Sequence, residues 1–213
     1  MNDNMIGITK KLYEGDSEAV AELVQASLDA GIEPEDVLDN ALIAAMDEVG
    51  RDFKVGDLFV PEVLRAAQAM QAGMGVLRPL LAERNVDSAG KYVIGTVKGD
   101  LHDIGKNLVK MMLEGNGYEV IDLGIDVEAS VFVDAVREHN PTLIGISAML
   151  TTTMTQMKEI IDSLEEAGLR KKVKVMIGGA PVTAAYAEQI GADAYATDAI
   201  GAVDKARDMI DKT

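Results

Sequence analysis

The second half of the chain alternates between short apolar runs and longer segments with helical spacing. Five apolar runs each precede a segment in which apolar residues recur every three or four positions. The predicted strands are Tyr92–Val97, Glu119–Leu123, Leu143–Ser147, Val173–Ile177 and Ala194–Thr197, and the predicted helices are Gly105–Asn116, Val127–His139, Met154–Ala167, Val182–Ile190 and Ile200–Ile210. This alternation predicts a five-stranded, doubly wound parallel sheet with right-handed crossovers. Ligands bind such sheets at the carboxyl ends of the strands, so chemistry is expected in the loops after the first, third and fourth strands.

The first half of the chain shows helical spacing alone. Between Asp3 and about Glu83, apolar residues recur at i, i+3 and i+4, which predicts amphipathic helices packed on one another. Residues that favour helix ends mark three longer helices, bounded by Asp16 and Gly31, by Pro34 and Gly50, and by Leu58 or Pro61 and Leu81. Polar and small residues fill 84–90 and predict a linker. The expected domains are therefore a helical domain over 1–83 and an α/β domain over 91–213.

The composition narrows the chemistry that such a chain can perform. It has no Cys and two His, which excludes a zinc site of four Cys and His ligands, a Cys nucleophile and a disulfide. The formal net charge of −16 disfavours binding to nucleic acid or to anionic lipid. No apolar run approaches the ~20 residues that span a bilayer. The first residues also lack the pattern of a secretory signal, so a cytoplasmic protein is expected.

The loop after the first predicted strand contains a histidine between carboxylates. It reads Lys98-Gly99-Asp100-Leu101-His102-Asp103-Ile104-Gly105-Lys106 and matches neither the dinucleotide-binding nor the P-loop glycine pattern. Asp100 lies two positions before His102, close enough for its carboxylate to accept the proton of one ring nitrogen and leave the other nitrogen free. This arrangement is expected of a metal-ligating or acid–base histidine. The second histidine, His139, lies at the predicted end of a helix, where the helix dipole favours an imidazolium. No functional role is expected for it.

The loops after the third and fourth predicted strands carry hydroxyls and adjacent glycines. Ser147 ends the third strand and is followed by the run 151–153 of three threonines, and Gly178-Gly179 follows the fourth strand. Taken singly, a loop histidine, a Ser/Thr run and a Gly-Gly pair are usually a surface residue, a helix cap and a turn. Their coincidence at one edge of the predicted sheet favours a ligand site.

Three motifs in the α/β half resemble the signature of cobalamin-binding domains. They are Asp100-x-His102-x-x-Gly105, Ser147-x-Met149 and Gly178-Gly179, against the family pattern D-x-H-x-x-G, S-x-L and G-G. The helical half is similar to the cap module of cobalamin-dependent methyl-transfer proteins through Gly56-Asp57-Leu58-Phe59-Val60-Pro61-Glu62 and Ala66-Ala67-x-x-Met70. The whole chain resembles the stand-alone corrinoid proteins of methanogen and acetogen methyltransferase systems and the corresponding region of cobalamin-dependent methionine synthase. This resemblance implies a helical bundle cap followed by a Rossmann-like or flavodoxin-like cobalamin-binding domain.

The resemblance also implies a set of cofactor-binding residues. The corrinoid would be base-off and His-on, with His102 as the lower axial cobalt ligand and Asp100 holding the tautomer of its ring. Thr153 stands where methionine synthases have the serine of a His-Asp-Ser relay, and Met149 replaces the usual leucine. The other implied residues are Asp103 and Ile104 beside the ligand, Gly105, Ser147, Thr151, Gly178 and Gly179 along a channel for the nucleotide tail, and Phe59 and Met70 over the upper face of the corrin.

A further implication of the resemblance is a methyl carrier that is not a catalyst on its own. Such a protein cycles between cob(I)alamin and methylcob(III)alamin. It takes a methyl group from a donor on a substrate-specific corrinoid methyltransferase, and a second methyltransferase passes the group to tetrahydrofolate, a tetrahydropterin or a thiol such as coenzyme M. A reductive activase is a third expected partner. The donor stays open among methanol, methylamines, methoxylated aromatics and betaines, within the one-carbon metabolism of methanogenesis or acetogenesis.

Three alternative functions share parts of this pattern. The cobalamin-binding subunit of an adenosylcobalamin-dependent isomerase would carry D-x-H-x-x-G but present it to a barrel domain, and the cap-like sequence at 56–70 argues against it. A cobalamin-sensing regulator would carry a DNA-binding module, whereas residues 1–90 hold 7 basic and 17 acidic side chains. A phosphoacceptor receiver domain would end its third strand in Asp, where this chain has Ser147.

Overall fold

The computed structural model describes residues 3–83 and 89–210, and the chain divides into two compact units. The first unit runs to Ser88 and includes Glu114–Gly117, and the second comprises Ala89–Leu113 and Tyr118–Thr213. Of the predicted linker over 84–90, residues 84–88 lie outside the described residues. In the part of the chain that the structure describes, no helix is both long enough and apolar enough to cross a membrane.

The first unit consists of helices, as the spacing of its apolar residues predicts. Its elements are α1 (Asp3–Glu14), α2 (Ser17–Asp29), α3 (Pro34–Val37), a π-helical segment (Leu38–Ile43), α4 (Ala44–Val55) and α5 (Val60–Glu83). Apolar side chains on α1, α2, α4 and α5 are fully buried, among them Ile8, Leu12, Val20, Val24, Met46 and Leu77. The predicted all-α region is therefore confirmed.

One predicted helix end in this unit is confirmed and another is wrong. Asp16 caps α2, because its Oδ1 accepts the backbone N–H of Ala19 at 3.2 Å. The helix expected to end near Gly50 continues to Val55 and stops at Gly56, which has the left-handed conformation. Gly50 is buried inside α4. A mid-helix glycine is tolerated where tertiary packing outweighs its poor helix propensity, so this glycine belongs to the packing and not to a helix end.

The second unit is a five-stranded sheet with flanking helices. Its elements are β1 (Lys91–Thr96), α6 (Ile104–Glu114), β2 (Glu119–Asp122), α7 (Ala129–His139), β3 (Leu143–Ser147), α8 (Gln156–Glu166), a 3₁₀ turn (Arg170–Lys172), β4 (Lys174–Gly178), α9 (Ala184–Ile190), β5 (Ala194–Ala196) and α10 (Ala199–Ile210). The five predicted strands and the helices that follow them are all confirmed, with ends that differ by at most two residues. The three central strands, β1, β3 and β4, are buried on both faces, as parallel sheets require, and the outer strands β2 and β5 are only partly buried.

The strand order places the carboxyl ends of neighbouring strands level with one another. The order is β2-β1-β3-β4-β5 and every neighbouring pair is parallel. This is the flavodoxin-like order, which reverses between β1 and β3, and open α/β sheets bind ligands at that reversal. In the register of the sheet, Thr96 pairs with Ser147, Ser147 with Gly178, and Gly178 with Ala196. The loops after these four strands therefore leave the sheet at one edge.

Candidate functional site

His102 lies in the turn that connects β1 to α6. The turn closes with a hydrogen bond of 3.1 Å from the Asp100 backbone N–H to the Val97 carbonyl. The carbonyl oxygen of His102 accepts a hydrogen bond of 3.0 Å from Oγ1 of Thr96, the buried last residue of β1. The loop that carries the histidine is therefore tied back to the strand that it leaves.

Asp100 holds His102 by two hydrogen bonds to one carboxylate oxygen. Oδ1 of Asp100 lies 2.7 Å from Nδ1 of His102 and accepts the His102 backbone N–H at 3.1 Å. The hydrogen bond expected from the sequence is thus present. Because Nδ1 donates to the carboxylate, the neutral ring carries its lone pair on Nε2. The His102 side chain is 55% exposed, so this lone pair belongs to a ring that a ligand can reach.

The second carboxylate oxygen of Asp100 is held by the loop after β3. Oδ2 accepts the Met149 backbone N–H at 2.7 Å and the Thr153 hydroxyl at 2.6 Å, and Asp100 is fully buried. Burial alone raises the pKa of the Asp100 carboxyl, but the hydrogen bonds from Thr153, Met149 and His102 outweigh it and hold that pKa well below its usual range. Asp100 is therefore a buried anion whose hydrogen bonds all favour the charged form.

His102, with Asp100 bound to its Nδ1, can act as a metal ligand. An anionic carboxylate on Nδ1 makes Nε2 a better electron-pair donor. Among residues 3–83 and 89–210, no group of three or more His, Cys, Asp or Glu side chains is placed to hold a metal ion. His102 therefore offers one nitrogen ligand, Nε2, to a metal.

Five large apolar side chains are exposed on the loops that meet at Asp100 and at the start of α6. This apolar patch consists of Leu101, Ile104, Ile125, Met149 and Leu150. Exposed apolar side chains grouped at a sheet edge indicate a surface for an apolar or flat ligand. Ile104 and Met149 were predicted from the sequence motifs. The other three were missed, although apolar residues inside otherwise polar loops are a usable signal.

The remaining predicted residues of the first and third loops lie at the same edge. Asp103 precedes α6, where its carbonyl accepts the Asn107 backbone N–H at 2.8 Å and its Oδ2 accepts the Asn107 side-chain amide at 3.1 Å. Ser147 is half-buried and Thr151 is exposed. Gly105, in the first turn of α6, faces open space, because a Cβ at this position would meet no atom within 4 Å. The chain itself does not require glycine there, which fits a position kept clear for a ligand.

At the Gly178-Gly179 pair, in contrast, the fold itself requires a glycine at position 179. Gly179 has φ +125°, and a Cβ on it would overlap the carbonyl oxygen of Ala148. A Cβ on Gly178 would lie 3.2 Å from the carbonyl oxygen of Ala196. Gly179 therefore lets the loops after β3 and β4 approach each other, and Gly178 leaves room beside the end of β5, besides any contact with a ligand.

The two predicted cap residues lie in the helical unit and differ in exposure. Phe59 directly precedes α5, where its backbone N–H donates to Oε2 of Glu62 at 3.0 Å. Its side chain is 67% exposed, whereas Met70 is fully buried within α5. Phe59 is available to a ligand, and Met70 would reach one only if its neighbours moved apart.

An ion pair between a buried lysine at the start of α6 and a partly buried aspartate was not predicted from the sequence. Lys106 is only 3% exposed, and its Nζ lies 2.7 and 2.8 Å from the two carboxylate oxygens of Asp122 at the end of β2. Burial raises the pKa of the Asp122 carboxyl, but the hydrogen bonds from Lys106 and from the Gly124 N–H lower it below its ordinary value. The available signal was the position of Lys106, seven residues before Leu113 on the buried face of α6.

Replacing Thr153 by Val should lower the free energy of unfolding of the second unit by about 1.5–3 kcal/mol. The substitution keeps the side-chain shape but removes the hydroxyl that donates to Asp100, which leaves a buried anion short of one hydrogen bond. Thr153→Ser keeps the hydroxyl and should cost about 1 kcal/mol for the lost methyl group. Urea denaturation of the full chain measures both values, and equal losses in the two variants would contradict the role of the hydroxyl.

Two family models and several known proteins match the chain. One model, described as a B12 binding domain, matches residues 90–204, and a second model with the same description matches residues 7–78. The trimethylamine corrinoid protein 1 of Methanosarcina acetivorans is 45% identical over 197 residues, which are 92% of this chain and 91% of that protein. The dimethylamine corrinoid protein of Methanosarcina barkeri is 48% identical over 180 residues, 84% of each chain.

A solved structure matches along the whole chain. It is the crystal structure of the methanol:cobalamin methyltransferase complex MtaBC from Methanosarcina barkeri, with a TM-score of 0.90 and 34% sequence identity. The match covers 100% of this chain and 81% of that chain.

Proposed function

The chain belongs to the B12-binding corrinoid proteins of methyltransferase systems, and from that membership we propose how its residues hold the cofactor and whom they serve. The protein is a corrinoid methyl carrier. When bound, the corrinoid supplies a cobalt ion that accepts a methyl group as Co(I) and yields it from methyl–Co(III). The observation that carries the proposal is the exposed imidazole of His102, whose Nδ1 is held by the buried Asp100 carboxylate.

His102 is the lower axial ligand in this proposal, and it binds through Nε2 in a base-off, His-on form. Asp100 keeps the proton on Nδ1 and, as an anion, raises the basicity of Nε2. Thr153 stands at the end of a chain of hydrogen bonds that runs from His102 through Asp100, with the hydroxyl 2.6 Å from Oδ2. This chain of hydrogen bonds would release a proton when the ring binds the metal and take one up when the ring leaves it.

The edge of the sheet provides the rest of the proposed binding site. The apolar patch around His102 would lie against the lower face of the corrin ring. Phe59 and Met70 would cover its upper face, as the family resemblance implies. The nucleotide tail would enter a channel lined by Gly105, Ser147, Thr151, Gly178 and Gly179, and the open space at Gly105 supports this part of the proposal.

The partners follow from the same membership. A substrate-specific methyltransferase is the first partner, in line with the similarity to a methyltransferase complex. A second methyltransferase and a reductive activase would complete the cycle, with the cytoplasm as the site of action. The names of the relatives make methylated amines the first donors to test.

The test is a methylation assay with defined partners. The chain, loaded with corrinoid and reduced, should be methylated when it is mixed with a dimethylamine- or trimethylamine-specific methyltransferase and the matching amine. Loss of the Co(I) absorption measures the reaction, and mixtures without donor or without methyltransferase are the controls. Methylation by a methanol-specific pair alone would exclude amines as the donor. Absence of methylation by every donor and partner pair would contradict the carrier function.

A further inference from the structure

The loop after β2 holds the backbone of the turn that carries Asp100. The Asp126 backbone N–H donates to the Asp100 carbonyl at 3.1 Å, and Oδ1 of Asp126 accepts the Gly99 backbone N–H at 2.7 Å. Next to these two hydrogen bonds, Val127 forms a parallel β-bridge with Val97. Asp126 therefore contacts two consecutive residues of the turn, once through its backbone and once through its side chain.

The conformation of Asp126 indicates that its side chain has a purpose. Its φ is +54°, a left-handed value that among the described residues other than glycine is shared only by Asn140. Glycine adopts this conformation at no steric cost, whereas a residue with a Cβ adopts it at a penalty. The hydrogen bond from Gly99 is a compensation that glycine could not supply. The charge of Lys98 also interacts with that of Asp126, but Lys98 forms its ion pair with Glu128, at 2.9 Å.

Asp100 is thus held by the loops that follow β2 and β3, the two strands on either side of β1. Met149 and Thr153, after β3, hold its carboxylate, and Asp126, after β2, holds its backbone. The carboxylate in turn fixes the ring and the backbone N–H of His102. A shift of the Asp100 backbone would move Oδ1, and the imidazole would move with it.

We propose that Asp126 is a positioning residue for His102, which holds the Gly99–Asp100 backbone so that the imidazole stays aligned for cobalt. The proposal rests on the assignment of His102 as the ligand under the proposed function. Asp126 acts through its hydrogen bonds to Gly99 and Asp100.

Two substitutions separate the side-chain hydrogen bond from backbone strain. Asp126→Gly keeps the left-handed conformation at no cost but removes the acceptor for the Gly99 N–H. Asp126→Asn keeps an acceptor oxygen, and Asn is among the residues that tolerate this conformation. Both variants therefore allow the left-handed conformation, and they differ in whether the side chain offers an acceptor to Gly99.

The first measurement uses the chain without cofactor. Amide hydrogen exchange of Gly99 should be about fivefold to tenfold faster in Asp126→Gly than in the wild type, because the N–H loses a charged acceptor. Asp126→Asn should restore most of the protection. The Asn107 amide, bonded inside the first turn of α6, should exchange at the same rate in all three proteins.

The second measurement uses the chain loaded with cob(II)alamin and labelled with nitrogen-15 histidine. Electron paramagnetic resonance then distinguishes a protein histidine, which splits the lines into doublets, from the cofactor's own base, which splits them into triplets. The doublet fraction should fall at least about twofold in Asp126→Gly and return in Asp126→Asn.

The outcomes separate this proposal from the one on which it rests. A wild-type chain that takes up corrinoid but shows no doublet would overturn the assignment of His102 and the positioning role together. A wild-type doublet fraction in Asp126→Gly would overturn the positioning role alone, even if Gly99 exchanges faster.

Discussion

Replacing His102 by Ala should remove all protein nitrogen from cobalt while leaving the fold unchanged. The side chain is 55% exposed, so its removal opens the Asp100 carboxylate to water, which can replace the lost hydrogen bond, and the fold should persist. In the loaded chain with nitrogen-15 histidine, the doublets from the protein ligand should disappear completely. Corrinoid affinity should fall at least about tenfold, because a metal–ligand bond is lost.

His139→Ala is the matched control for that experiment. His139 lies in the last turn of α7, in the same unit of the protein, and has no proposed role at the metal. The doublets should persist in this variant with wild-type intensity. Doublets that survive in His102→Ala and disappear in His139→Ala would transfer the ligand role to the other histidine.

Replacing Gly179 by Ala should cost more than about 4 kcal/mol of the free energy of unfolding or prevent folding altogether. The new Cβ would overlap the carbonyl oxygen of Ala148, which belongs to the backbone and cannot rotate away, and φ at this residue is +125°. Circular dichroism during urea denaturation measures the loss. A variant with wild-type stability would show that the loops after β3 and β4 are less tightly joined than their geometry indicates.

Gly105→Ala is the contrasting variant at a second motif glycine. The added Cβ meets open space, and alanine is the better helix former, so stability should stay equal or rise by about 0.5–1 kcal/mol. Corrinoid uptake, followed by absorption, should nevertheless weaken if the position lines the channel for the nucleotide tail. Unchanged uptake would remove Gly105 from the proposed channel. Gly179 is thus required by the packing of the backbone, whereas Gly105 is expected to matter only for the ligand.

Most of the fold was predictable because its signals are local. Each strand of the second unit is an apolar run and each helix has a 3.6-residue period, and these patterns depend on neighbours along the chain. Gly50 shows where such reasoning fails. A glycine near the end of a periodic segment usually ends a helix, but here burial inside α4 decides otherwise. A residue's helix propensity does not decide its conformation where tertiary packing contributes more free energy than the poor propensity costs.

The site divides in the same way. Asp100 and His102 are two residues apart, so their hydrogen bond could be inferred from the spacing alone. The loop after β2 was not among those predicted to carry chemistry, and Gly124–Val127 contains no histidine, hydroxyl run or glycine pair. Its importance comes from Asp126, whose partner Gly99 is 27 positions away. The Lys106–Asp122 ion pair was missed for the same reason, since its members lie 16 positions apart.

By itself, then, the sequence determined the two regions of different secondary structure, the parallel sheet with its functional edge, and the histidine with its carboxylate partner. The tertiary structure alone decided how that carboxylate is held. Asp100 accepts hydrogen bonds from Met149 and Thr153, which lie 49 and 53 positions away along the chain. Only the order of strands in the sheet brings their loops together. Burial then makes each of these hydrogen bonds matter, because an anion without water depends on its partners for its charge. Spacing along the chain can name a ligand, but the strand order determines which distant groups hold it in place.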